Sequence, residues 1–162
     1  MPAALSLAVL IGAPAASGHP KGGVVSIVGQ IGPLRLDRSS EDDIRRAHWP
    51  PDRVVVSHAR EPRPYRLLVY RCGAGCDTWY YVSRKTGRLS DFQTTLRAFR
   101  TPEGSRVGTA RREAERREEA RAKDGCLFSI ALRQAGNRLE LEIERGKVSR
   151  LLLSGPNSVV TC

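Results

Sequence analysis

The first twenty residues carry no charged side chain, and the first positive charge is Lys21. No apolar run reaches the roughly 20 residues a membrane-crossing helix needs, so the sequence predicts no membrane span. The signatures of several reaction classes are also missing. There is no G-x-S-x-G elbow or Ser-x-x-Lys pair to supply a nucleophilic serine. No glycine-rich loop opens a helix to cradle phosphate; Gly73-Ala74-Gly75 joins two strands instead. With three histidines, His48 and His58 stand ten residues apart and His19 lies near the start, so no metal-binding helical face forms. His58 has no signposted nucleophile to serve, even with Asp91 as an acid, and His48 beside Trp49 is expected to cap carbonyls or pack on the indole. The remaining acids fall in charged, solvated stretches where paired carboxylates could not acquire opposed pKa values. The expectation is a non-enzyme with no catalytic residue, metal or cofactor, an undetected hydrolase being the second alternative.

What is present begins with the apolar stretch Ala3–Ile11, followed by the small residues Ala13-Pro14-Ala15 and Ala16-Ser17-Gly18. This pattern reads as a signal peptide over residues 1–18, although a Lys or Arg before the apolar stretch is lacking. With no cysteine at its end, the leader does not predict a lipid anchor. Residues 19–162 are then expected to form one secreted or cell-envelope-associated domain, with possible halves at 24–100 and 101–162. The four cysteines, Cys72, Cys76, Cys126 and Cys162, suit that oxidising compartment. Of the three pairings, Cys72–Cys76 would cross the neck of a hairpin, leaving Cys126 to join Cys162. On a chain-entropy model the long loop contributes about 3–4 kcal/mol and the short one about 2 kcal/mol. A zinc site is disfavoured because the only close pair is C-x3-C.

The formal net charge is +10, and 23 of the 27 basic residues are arginine. Such a field attracts anionic polymers of the wall or nucleic acid. The arginines are dispersed, however, with no aromatic-interleaved run of the kind that stacks bases. A solvated basic surface is the simpler reading, and polymer binding is kept as an alternative.

Along the chain, Val24–Ile31 reads as a buried strand and Gly32-Pro33 as its breaker. Ser39-Ser40-Glu41-Asp42-Asp43 offers an N-cap and a first-turn acidic cluster, and Trp49-Pro50-Pro51 stops that helix. Strands are expected over Val54–Ala59, Tyr65–Cys72, Thr78–Ser83 and Leu89–Leu96. A second helix, capped by Thr109, is expected from Ala110 to about Lys123. Strands Cys126–Gln134, Arg138–Glu144 and Lys147–Leu153 follow, and strict alternation in Leu139–Glu144 puts one face in the core and the other in water. The fold class is α+β: two helix-then-antiparallel-meander halves forming one sheet-based, disulfide-bonded domain.

This order resembles the small secreted repeat of the β-lactamase-inhibitor protein and the BamE-like outer-membrane assembly lipoproteins. The segment Phe99–Gly108 is also similar to the second-repeat entry of uncharacterised secreted actinobacterial proteins. The resemblance implies a fold and protein binding, and transfers no site residue. Five of the nine aromatic residues fall in one hairpin. Tyr65, Trp79, Tyr80 and Tyr81 are the candidate partner surface, set against a role in cross-strand packing. The expected function is therefore a non-catalytic binding or structural role at a bacterial cell envelope, with an envelope or extracellular protein as partner.

Overall fold

The computed structural model describes residues 20–120 and 129–159 and the backbone of 122–123. The expected leader, together with Cys126 and Cys162, lies outside the described residues. The described residues are mostly strand, with two short helices and two sheets.

The chain opens with β1 (Gly23–Ser26), β2 (Gln30–Ile31) and β3 (Leu34–Arg35), and α1 (Glu41–His48) follows. Next come β4 (Arg53–Val56), β5 (Tyr65–Gly73), β6 (Cys76–Ser83), β7 (Leu89–Thr94) and β8 (Phe99–Arg100). The rest comprises α2 (Arg111–Arg117), β9 (Ala122–Lys123), β10 (Ser129–Gln134), β11 (Asn137–Glu144) and β12 (Lys147–Ser154). The large sheet has the order β4-β5-β6-β7-β12-β11-β10-β9, and every neighbouring pair in it is antiparallel. The seam is β7–β12, where Phe92 pairs with Leu153 and Asp91 with Ser154.

A small sheet of order β3-β2-β1-β8, not anticipated from the sequence, adds a parallel contact between Gly23-Val24 and Phe99-Arg100. The expected single strand Val24–Ile31 is two strands. Gly29, at φ 89°, returns the chain by donating its N–H to the Ser26 carbonyl at 3.0 Å. Close approach demands Gly22 as well, because a Cβ there would stand 2.4 Å from the Ala98 carbonyl oxygen.

Helix α1 begins as its capping sequence predicts. The Ser40 hydroxyl accepts the Asp43 N–H at 3.3 Å, and the Asp43 carboxylate accepts the Ser40 N–H at 2.9 Å. Those bonds hold the Asp43 carboxyl below its usual pKa. Glu41 on the next position holds Arg45 at 2.7 Å and Arg66 of β5 at 2.9 Å, tying the helix start to the sheet. Helix α2 departs from expectation at both ends. Its N-cap is Ala110, which makes no side-chain cap, while the Thr109 hydroxyl accepts the Arg106 N–H at 3.0 Å. The helix stops at Arg117 because Glu119 turns left-handed, at φ 49°.

Both helices and the small sheet pack on the same face of the large sheet. Ile44 of α1, Ala114 of α2 and Val25, Ile31, Leu34 and Phe99 of the small sheet meet Leu68, Tyr70, Tyr80, Phe92, Leu141 and Leu151 in one core. The side chains of Leu67, Val69 and Tyr81 alternate to the opposite face and form a second, smaller cluster. That face carries no helix among the described residues.

Candidate functional site

Period-2 alternation along β5 and β6 divides the predicted aromatic surface between the two faces. Tyr80 is fully buried in the main core, tilted against Phe92 at 5.2 Å and stacked on His48 at 5.3 Å. It is therefore removed from the candidate partner surface. Its hydroxyl bonds the His48 Nε2 at 2.9 Å, and Tyr70 donates its own hydroxyl to the Trp49 carbonyl at 3.1 Å. His48 neither caps carbonyls nor packs on the indole. It turns inward, and burial pushes its pKa down to about 4, so it is neutral at pH 7. Trp49 points away and is 62% exposed. Burial also raises Tyr70 to about 12 and Tyr80 well above the ordinary phenol value.

Tyr65, Trp79 and Tyr81 lie together on the helix-free face. Tyr65 meets Tyr81 edge-on at 5.4 Å, and Trp79 tilts against Tyr81 at 6.4 Å. Leu67 and Val69 form the floor, with Val55 and Val159 at the margins. The rings shield the floor, and the half-buried Tyr65 and Trp79 are its outward contact surface. The Trp79 indole N–H is buried with no acceptor among the described residues.

The same face changes character across the sheet. The Asp91 and Gln93 side chains stand opposite Tyr81 and Trp79, and the Gln93 amide donates to the Tyr81 hydroxyl at 3.3 Å. Burial raises the Asp91 pKa, while its carboxylate accepts the Ser158 hydroxyl and the Val159 N–H, the latter at 2.9 Å. Asp91 thus holds the segment Gly155–Val159 to the sheet, helped by Arg63, which donates to the Ser158 carbonyl. Farther along, Arg138 pairs with Glu140 at 2.6 Å and Arg150 with Glu142 at 3.6 Å. Burial raises the Glu142 pKa against the pull of Arg150. The face therefore runs from aromatic to ion-paired, and the ions are already matched to one another.

The other sequence candidates do not converge on it. His58 is exposed in the loop after β4, and no hydrogen bond or ion pair joins it to Asp91 among the described residues. Cys72 and Cys76 form a disulfide across the β5–β6 turn, with Cα atoms 5.1 Å apart. Sequence reasoning missed Leu67, Val69, Asp91 and Gln93 as members of the face. The alternation was legible, but the side facing away from the helices was not. Elsewhere, an open groove beside α1 is lined by Arg35, Arg38, Asp43 and Arg46, and another at the start of α2 by Arg97, Arg106, Glu113 and Arg117. No helix among the described residues is long and apolar enough to cross a membrane.

No protein-family model matches the chain, and no curated protein matches it significantly. Among solved structures, the fold is similar to a DUF4309 family protein from Bacillus subtilis subsp. subtilis str. 168. The TM-score is 0.51 at 12% identity, over 75% of this chain and 82% of that one. An extracellular protein containing a SCP domain from Bacillus anthracis str. Ames aligns with a TM-score of 0.48 at 8% identity, over 74% of this chain. This chain spans 44% of that protein's length. At these identities the likeness to the DUF4309 protein is one of fold.

Proposed function

We propose that the chain is an exported, non-catalytic protein-binding module of the cell envelope that docks its partner on the helix-free face. The reading rests on one observation: Tyr65, Trp79 and Tyr81 cluster on a sheet face that neither helix covers. Rigid aromatic rings beside a shielded apolar floor supply large contact area at low entropic cost. The Cys72–Cys76 disulfide supports an oxidising compartment. The two halves are proposed as one helix-then-meander unit used twice: α1 precedes β4–β7, α2 precedes β9–β12, and the halves join at β7–β12. That reading is in keeping with the architectural resemblance to the β-lactamase-inhibitor protein and carries no inhibitory residue with it.

A second reading, electrostatic binding of anionic polymers, draws on the grooves lined by Arg35, Arg38 and Arg46 and by Arg97 and Arg106. Salt separates the two. The immobilised chain is exposed to envelope extract at low and at physiological salt, beside Trp79→Ala and Tyr65→Ala variants. A protein retained at physiological salt and lost from both variants supports docking on the aromatic face. Retention that collapses with salt, is indifferent to Trp79 and is restored by a nuclease- or wall-polymer-sensitive ligand transfers the function to the basic grooves.

A further inference from the structure

We propose that the outer edge of β4 is a pairing site for a second copy of this chain. Among the described residues, β4 is the terminal strand of the large sheet and pairs only with β5. Ser57 donates its N–H to the Tyr65 carbonyl at 3.0 Å, which sets the alternation of the edge. Arg53 and Val55 face β5 with their backbone groups, as Ser57 does. The N–H and C=O groups of Val54 and Val56 therefore point outward, and they have no partner among the described residues.

Natural edge strands are protected by lysine, proline, bulges or a covering element. β4 is short, begins at the exposed Arg53 and follows Pro50-Pro51, but among the described residues no lysine, proline, bulge or covering element lies between Val54 and Val56. Val54 is 36% exposed and Val56 51% exposed, so the open backbone is accompanied by open apolar side chains. Trp49 adds a third exposed apolar residue at the approach to the strand.

The pattern is complementary to itself. A two-fold axis through Val55 places Val54 of one copy opposite Val56 of the other, and the reverse. Each of these pairs exchanges two N–H···O=C bonds, so four form in all. The same register sets Asp52 opposite His58 and Arg53 opposite Ser57, with no like charges face to face. A shift of one residue would bring inward-facing groups to the edge and lose the bonds. The alternation therefore restricts pairing to this register and those two residues away, and the Val55-centred one is the register the cross-link below tests. The axis is perpendicular to the sheet, and the helix-free faces of both copies would look the same way. One continuous sheet would then present two docking faces, and a partner with two epitopes would gain avidity without any new contact.

Sedimentation equilibrium of the disulfide-bonded exported chain, from micromolar to millimolar at physiological salt, tests the pairing. That salt level screens the self-repulsion of two strongly basic copies. A concentration-dependent dimer is expected. Val56→Pro deletes only an outward N–H, two of the four bonds per dimer, and should weaken association about tenfold or more. Val54→Lys should weaken it by a similar factor, and both variants should keep the circular dichroism of the parent. Val55→Cys should cross-link on mild oxidation, because opposed residues of a non-hydrogen-bonded pair lie within disulfide reach. A monomer at every concentration, or a dimer indifferent to both edge variants, overturns the proposal. Exchange protection of the Val54 and Val56 amides that arises only with envelope extract would assign the edge to a foreign strand, and overturns self-pairing equally.

Discussion

Acidification from pH 7 to pH 5 should destabilise the fold through His48, and the size of the loss follows from its burial. The ring is 4% exposed, stacked on Tyr80, and bonded through Nε2 to the Tyr80 hydroxyl, while Nδ1 is buried with no hydrogen-bond partner among the described residues. Desolvation lowers its pKa from 6.5 to about 4. The unfolded chain therefore binds the proton more tightly than the folded one. The stabilisation is fully present above pH 6.5 and is lost as pH falls towards 4. Integrating between the two values gives about 2 kcal/mol lost between pH 7 and pH 5, and about 3 kcal/mol by pH 4. Against a total of about 5–15 kcal/mol this is a large fraction.

Asp91, Glu118 and Glu142 have raised pKa values and act in the opposite sense, favouring the folded state at low pH. Urea unfolding of the wild type and His48→Gln at both pH values separates the two effects, since the acids are common to both chains. The wild type should lose about 2 kcal/mol more than the variant over that interval. An equal loss in both chains would refute the reasoning. So would a His48 ring resonance that titrates near 6.5, a measurement that does not require the variant to fold.

Asp91→Ala removes the acceptor of the Ser158 hydroxyl and the Val159 N–H. It should raise amide exchange and proteolysis over residues 155–159, and an unchanged protection pattern would show that the segment is held by other contacts. Ser40→Ala breaks the capping box of α1 and should cost about 1 kcal/mol in urea unfolding. Cys76→Ser opens the β5–β6 turn and should lower stability by about 2 kcal/mol. Reductant should produce no further loss at that hairpin in the variant.

Much of the local structure was written in short-range chemistry. The serine and acids at Ser40–Asp43 supplied both partners of a capping box, and Trp49-Pro50-Pro51 ended the helix because a residue before proline is driven from helical geometry. Alternation in Leu139–Glu144 separated Leu139 and Leu141, which are buried, from Glu140 and Glu142, which pair with arginines on the other face. The Cys72–Cys76 bridge followed from a hairpin whose ends must meet. The second helix was read too long because charged residues with good helix propensity continue past Arg117, whereas the buried Glu118, bonded to Thr101 at 2.6 Å, and the left-handed Glu119 turn the chain away.

Sequence alone placed Trp79 and Tyr81 on one side of a strand and Tyr80 on the other. It left open which side was interior, because alternation is unchanged when the two faces are exchanged. Packing decided it. Once Ile44 and His48 of α1 lie over Tyr70 and Tyr80, that side closes, and Tyr65, Trp79 and Tyr81 are left on the helix-free side. The pairing of β1 with β8, across some seventy residues of chain, was likewise invisible to any local pattern. Short-range preferences act within a few residues, whereas the choice of face and partner is made by burying the most apolar area at once.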